Sequence, residues 1–305
     1  MTFSPTEAAF EGFRLTREQP KVVAWWMVAC LVYGLVIDTL MAALAGPDLA
    51  VFRDFMRDPA GNMDNLVAMG PSMALFDLAA IPVVLGFSAL IACAAYRAVF
   101  APGAGRFGHL RVGRDEGRML LLYLLLLLVF TGVFMAAMIM GAVLMGAGSG
   151  AGPAAGMLFG ALAFAAMAGG VIYVGVRLSL AGPLTFIEKR ISLKDAWLMT
   201  RGRFWSLLGA YALSWTLAIV VQMLASAVFM AIGAAASGDI GTYIRAASLD
   251  LESVAAVFTP AHLLVTAAAA VLSGLQFAIV LATPAVAYRD LSGKVPAVQG
   301  IDLTA

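Results

Sequence analysis

Six long apolar runs dominate the chain, and its polar stretches fall between them. The runs cover roughly 22–45, 75–100, 119–144, 157–180, 205–232 and 261–287. Each exceeds the about 20 apolar residues that a helix needs to cross a bilayer. Hydrocarbon offers the backbone no water to bond, so a spanning segment must satisfy its own amides. The pattern predicts an all-α integral membrane protein with six transmembrane helices. They form two or three hairpin repeats, with amphipathic cytoplasmic entry helices. The segments read as an N-terminal helix over 1–20, hairpins over 21–100, 119–180 and 205–288, and basic loops over 101–118 and 181–204. A tail over 289–305 follows.

Local signals refine this layout. Ser4-Pro5-Thr6-Glu7 is a capping box with proline at the first helical position. It opens a short helix carrying Phe10, Phe13, Arg14 and Arg17, and Pro20 ends it. Pro82 predicts a kink in the second span. The stretch 146–156 predicts a tight connection, and Gly156 with Gly160 predicts close approach of two helices. Phe107 to Arg114 suggests a turn or short strand. Ala43-Leu44-Ala45 resembles a signal-peptidase site, but Glu7, Glu11, Glu18 and Asp38 argue against a removable leader.

Composition supports the bilayer as solvent. The chain is 62% hydrophobic and 12% charged, against about 45–50% and about 25% in a soluble domain. A net charge of +1 gives no reason to expect a nucleic-acid partner. Its distribution is more informative. Residues 177–205 hold Arg177, Lys189, Arg190, Lys194, Arg201 and Arg203 against Glu188 and Asp195. Of the 19 Lys and Arg, only Arg53, Arg57 and Arg245 fall in the odd-numbered loops. Basic loops stay on the cytoplasmic side, so both termini are expected there.

The hairpins echo one another. Gly12-Phe13-Arg14-Leu15-Thr16-Arg17 parallels Ala196-Trp197-Leu198-Met199-Thr200-Arg201. Tyr96-Arg97 closes the second span as Tyr288-Arg289 closes the sixth, and Ser4/Glu7 is matched by Ser192/Asp195. The middle hairpin, from Glu116-Gly117-Arg118 to Tyr173 and Arg177, fits more loosely.

Arg177 to Pro183, Ser192, Ala196-Trp197 and Thr200 to Trp205 resemble a signature of YciC-like bacterial membrane proteins. They also resemble the membrane domain fused to some glycerophosphodiester phosphodiesterases. The resemblance is tightest over these residues. It implies a multi-pass protein of the bacterial inner membrane without an assigned activity. The catalytic domain of the fused enzymes has no counterpart here, so no catalytic residue is carried over.

Candidate chemistry is sparse. Asp38 and Asp77 lie at similar depth near the outer ends of the first two spans. They read either as proton or ion carboxylates or as interfacial groups reaching water, Arg53 and Arg57. Gln222 and Gln276 are expected to bond across the fifth and sixth spans, with contact to a substrate as the sharper alternative. Arg97, Arg111, Arg114, Arg177, Arg201, Arg203 and Arg289 form a candidate set of contacts to anionic lipid. The bland reading of Arg97, Arg177 and Arg289 is snorkelling to the interface. Cys30 and Cys93 read as free thiols, and His262 as interfacial. The chain has no zinc, nucleotide or serine-hydrolase motif, so no catalytic, cofactor or metal residue is expected. The leading expectation is a non-catalytic protein that interacts with membrane lipids, preferentially anionic ones, or organises a protein partner or a homo-oligomer. The alternative is a small transporter or exporter of an amphiphile, with Asp38 and Asp77 as coupling carboxylates.

Overall fold

A computed structural model describes residues 4–46, 48–49, 51, 70–101, 106–150, 152–237 and 251–292. Ten helices matter here: α1 (Pro5–Glu18), α2 (Pro20–Leu44), α3 (Gly70–Phe100), α4 (Arg114–Ser149) and α5 (Pro153–Leu178), then α6 (Ala181–Glu188), α7 (Leu193–Met199), α8 (Phe204–Ser237), α9 (Val254–Val257) and α10 (Pro260–Ser292). A short 3-10 turn covers Arg106–His109. Six helices, α2, α3, α4, α5, α8 and α10, are long and apolar enough to cross a membrane. The chain is an all-α polytopic membrane protein, as the apolar runs predict. Arg53, Arg57, Arg245 and the tail beyond 292 lie outside the described residues, as does the side chain of Ser149.

The helix starts follow from local chemistry. Ser4 caps α1 by accepting from the Glu7 amide at 3.4 Å, and Ser192 caps α7 by accepting from the Asp195 amide at 3.3 Å. Each side chain satisfies an amide that the first turn leaves without an intrahelical partner. Pro20 begins α2 as well as ending α1, because only Gln19 separates them. Gly152, at φ 117°, makes the bend between α4 and α5. Those two helices then pack closely, with Gly160 near Met145 and Gly141 near Ala163.

The packing runs around the bundle from α2 to α3, α4 and α5, and from α8 through α10 back to α2. One joint is loose: α5 and α8 meet only sparsely. Two entry elements dock on the hairpin that precedes them in the chain, and α1 docks on the last hairpin. The turn at 106–109 packs on α2 and α3, α7 packs on α5, and α1 packs on α8 and α10. The last arrangement differs from a helix lying on lipid. Ala8, Ala9, Gly12 and Leu15 are buried against protein, Ala8 with Ala210 and Val286 and Leu15 with Ala278. A methyl group on Gly12 would collide with Ile279 Cα and lie 2.6 Å from the Ala278 carbonyl. Small residues let the two backbones approach, which a larger apolar stripe would prevent.

The main core lies towards the end of the bundle that carries α1 and the C-terminus of α10, here called the termini face. Tyr96, Phe100, Leu180, Leu184, Phe186 and Tyr288 are among its buried residues. Tyr96 and Tyr288, the matched tyrosines of the two exits, both touch Phe100, at ring separations of 6.4 and 6.3 Å. The expected Gln222–Gln276 bridge does not form. Both glutamines are half-buried and neither bonds to a described residue. The α8–α10 joint is made instead by buried Ser214 and Thr283, whose hydroxyls lie 2.9 Å apart, with Ser214 donating to the Ile279 carbonyl at 3.2 Å. Short hydroxyl side chains suit the close spacing of these helices better than long amides do.

Candidate functional site

The basic residues of the termini face fall into two groups. One group is bound into the fold. Arg97 is buried at 1% exposure. Its guanidinium bonds Glu116 and donates to the His109 carbonyl at 3.1 Å. Asp115 lies 3.9 Å away and in turn pairs with Arg118 and Lys189, both at 2.8 Å. This ionic knot ties the end of α3, the start of α4 and the end of α6 together. Arg97 therefore neither snorkels nor reaches a lipid headgroup, because two helices and the adjoining turn enclose it. Arg289 is half-buried beside Asp290 at 3.5 Å, and Arg111 is half-buried.

The turn that receives Arg97, where the sequence suggests a turn or short strand, has left-handed backbone. Phe107, Gly108 and His109 have φ of 52°, 67° and 62°. Trp26 Nε1 donates to the Gly108 carbonyl at 2.8 Å, and Trp25 meets Phe107 edge-on at 5.1 Å. A β-carbon on Gly108 would lie 2.7 Å from that of Trp25, so glycine is required both by the space and by the backbone.

The second group is not tied down. Arg114, Arg201 and Arg203 are exposed and have no acidic partner among the described residues. Arg201 and Arg203 occupy the turn between α7 and α8, flanked by Leu198 and by Trp205, which is 80% exposed. Arg177 differs from both groups. It is 6% exposed, at the end of α5, with its guanidinium carbon 4.6 Å from the Trp197 ring centre and 5.9 Å from that of Tyr173. Its Nε is buried without a hydrogen-bond partner.

The two candidate carboxylates part company. Asp38 Oδ2 lies 3.0 Å from His262 Nε2 and accepts from Thr266 Oγ1 at 3.4 Å. His262 is thus a partner of Asp38 from α10, a pairing that no local spacing signals. Asp77 is exposed on α3 and lines a cavity of about 360 Å³ with Tyr33, Ile37, Val84 and Leu127. A second cavity, of about 280 Å³, shares Leu85 and Leu127 with it and reaches Tyr123 and Phe277. Among the described residues no cluster of His, Cys, Asp and Glu is suited to a metal.

No protein-family model, curated protein or solved structure matches the chain.

Proposed function

We propose that the chain is a non-catalytic protein of the bacterial inner membrane, with its termini in the cytoplasm, that interacts with anionic lipid headgroups. The observation that supports this most directly is the exposed pair Arg201 and Arg203 beside Trp205. Tryptophan favours the headgroup level, and each basic residue near an anionic leaflet contributes about 1 kcal/mol. Arg114, exposed at the start of α4, adds a third cation from a neighbouring hairpin. The Tyr-Arg exits and capped entry helices suit a duplicated hairpin unit, with each entry element seated on a hairpin other than the one it opens. The test is lipid retention by purified protein. Native mass spectrometry against phosphatidylglycerol and phosphatidylcholine should show a preference for the anionic lipid. Arg201→Gln with Arg203→Gln should reduce that preference; an unchanged preference would sink the reading.

One observation favours a second reading, a small transporter or exporter of an amphiphile: Asp77 stands at the edge of an apolar cavity that continues between α3, α4 and α10. Here Asp77 would hold the polar head and the Asp38–His262 pair would carry the proton. Asp38→Asn with Asp77→Asn should then abolish a proton-dependent flux in reconstituted vesicles while the protein stays folded.

A further inference from the structure

We propose that Arg177 anchors one phospholipid by its phosphate, at the mouth of the loose joint between α5 and α8. The proposal rests on the lipid-interacting reading above and names the site and the group it recognises.

The argument begins with an unmatched charge. Arg177 is more than nine-tenths buried, yet no described residue forms an ion pair or a hydrogen bond with its guanidinium. Arg97, also buried, shows how this fold treats a cation that serves structure, since Glu116 and Asp115 lie beside it. A buried charge without a counter-ion is costly, and the cation–π contacts with Trp197 and Tyr173 offset only part of that cost. The Trp197 and Tyr173 rings, edge-on to each other, flank the guanidinium, and its planar fork favours a partner able to accept two parallel N–H bonds. A phosphate oxygen pair does this, and arginine suits it better than lysine.

The surroundings identify the phosphate as that of a lipid. Thr200 Oγ1 donates to the Arg177 carbonyl at 3.0 Å, so the turn bearing Arg201 and Arg203 is fastened to the same helix end. Tyr173 touches Trp197 at 5.8 Å and Phe204, the first residue of α8, at 5.4 Å. These contacts bridge α5 and α8 at the termini face. Further along α5, Gly169 and Gly170 face open space, as does Gly209 on α8. Leu158, Leu162 and Phe164 of α5 are all more than half exposed. The phosphate site therefore opens onto apolar, uncovered helix surface that acyl chains can follow.

The test uses the full chain in a neutral detergent, with phosphatidylglycerol and diacylglycerol of the same acyl chains as probes. Phosphatidylglycerol should raise the melting temperature and give one tightly held adduct in native mass spectrometry, and diacylglycerol should do neither. Arg177→Gln should lower phosphatidylglycerol affinity by about tenfold or more, and Arg177→Lys, which keeps the charge without the fork, should fall between. Wild-type affinity in Arg177→Gln overturns the proposal. If that variant fails to fold, equal stabilisation of the wild type by diacylglycerol overturns it instead. The same stabilisation by inorganic phosphate alone overturns the lipid assignment. Loss of binding in Arg177→Gln with none in the Arg201/Arg203 double variant supports this site and sinks the exposed-arginine reading; the reverse result sinks this site alone.

Discussion

His262 Nε2 sits 3.0 Å from the carboxylate of Asp38, although 224 residues separate them in the chain. The pair joins α10 to α2, and Thr266, one helical turn beyond His262, bonds the same oxygen. An acid near the end of a span thus has its partners on a neighbouring helix. Interhelical polar contacts in membranes contribute about 0.6 kcal/mol on average and up to about 1.7. A double-mutant cycle of Asp38→Ala and His262→Ala on unfolding should give a coupling in that range. The same cycle with Asp77→Ala and His262→Ala should give none within error. Coupling of Asp77 to His262 would show that both carboxylates share one network.

The seat of α1 depends on the absence of a side chain at position 12. Gly12→Leu should push α1 off α8 and α10, because the backbone of Ile279 occupies the space. Overpacking of this kind costs about 1–3 kcal/mol. Gly132 on α4 has open space around it, and Gly132→Leu should change stability by no more than about 0.5 kcal/mol. Thermal unfolding of the two variants in the same detergent checks the contrast. Equal melting temperatures would mean that α1 does not dock as described.

The spans and the two serine caps are legible in the sequence because each is a local fact. A run of about 20 apolar residues spans by its length alone, and Ser4 and Ser192 reach amides only three residues on. The sites are less legible because they depend on partners far along the chain. Arg97 and Arg114 both stand at helix ends near a basic loop. Only the fold reveals that Glu116 and the turn at His109 enclose the first and leave the second exposed. The left-handed backbone at 107–109 is held by Trp26, 82 residues from Gly108, so its local sequence leaves a turn and a short strand equally open. Gln222 and Gln276 show the opposite error. Their depth in the spans was right for an interhelical bond, but the joint is made by Ser214 and Thr283, whose short side chains carry a weaker sequence signal.

Acid should loosen α7 before the spans. The Asp195 carboxyl is held below its usual value near 3.8, first by the hydrogen bond from Ser192 and then by Arg190 and Lys194. A depressed carboxylate pKa contributes stability above the unfolded value, and that stability is lost as pH falls through the folded value. Hydrogen exchange over residues 193–199 should therefore quicken as pH drops below about 3.8, after correction for the intrinsic rate. Ser192→Ala removes both the cap and the bond to Asp195. It should quicken exchange at neutral pH and flatten the acid response. An acid response undiminished in Ser192→Ala would place its cause elsewhere.

The ionic knot makes the sharpest prediction for stability. Arg97 and Glu116 are buried together, with side-chain exposures of 2% and 8%. Removing one member of a buried pair leaves the other charge uncompensated, which costs about 3–5 kcal/mol. Replacing both by apolar groups of similar size removes that penalty. Arg97→Met alone and Glu116→Leu alone should each destabilise severely, and the double variant should recover most of the loss. Arg114→Met, which removes an exposed cation at the start of the same helix, should be nearly neutral. Chemical denaturation of the four variants decides the matter. If the double variant is as unstable as the sum of the singles, the knot supports the joint between α3, α4 and α6 through specific hydrogen bonds, including that from Arg97 to the His109 carbonyl, rather than through charge balance.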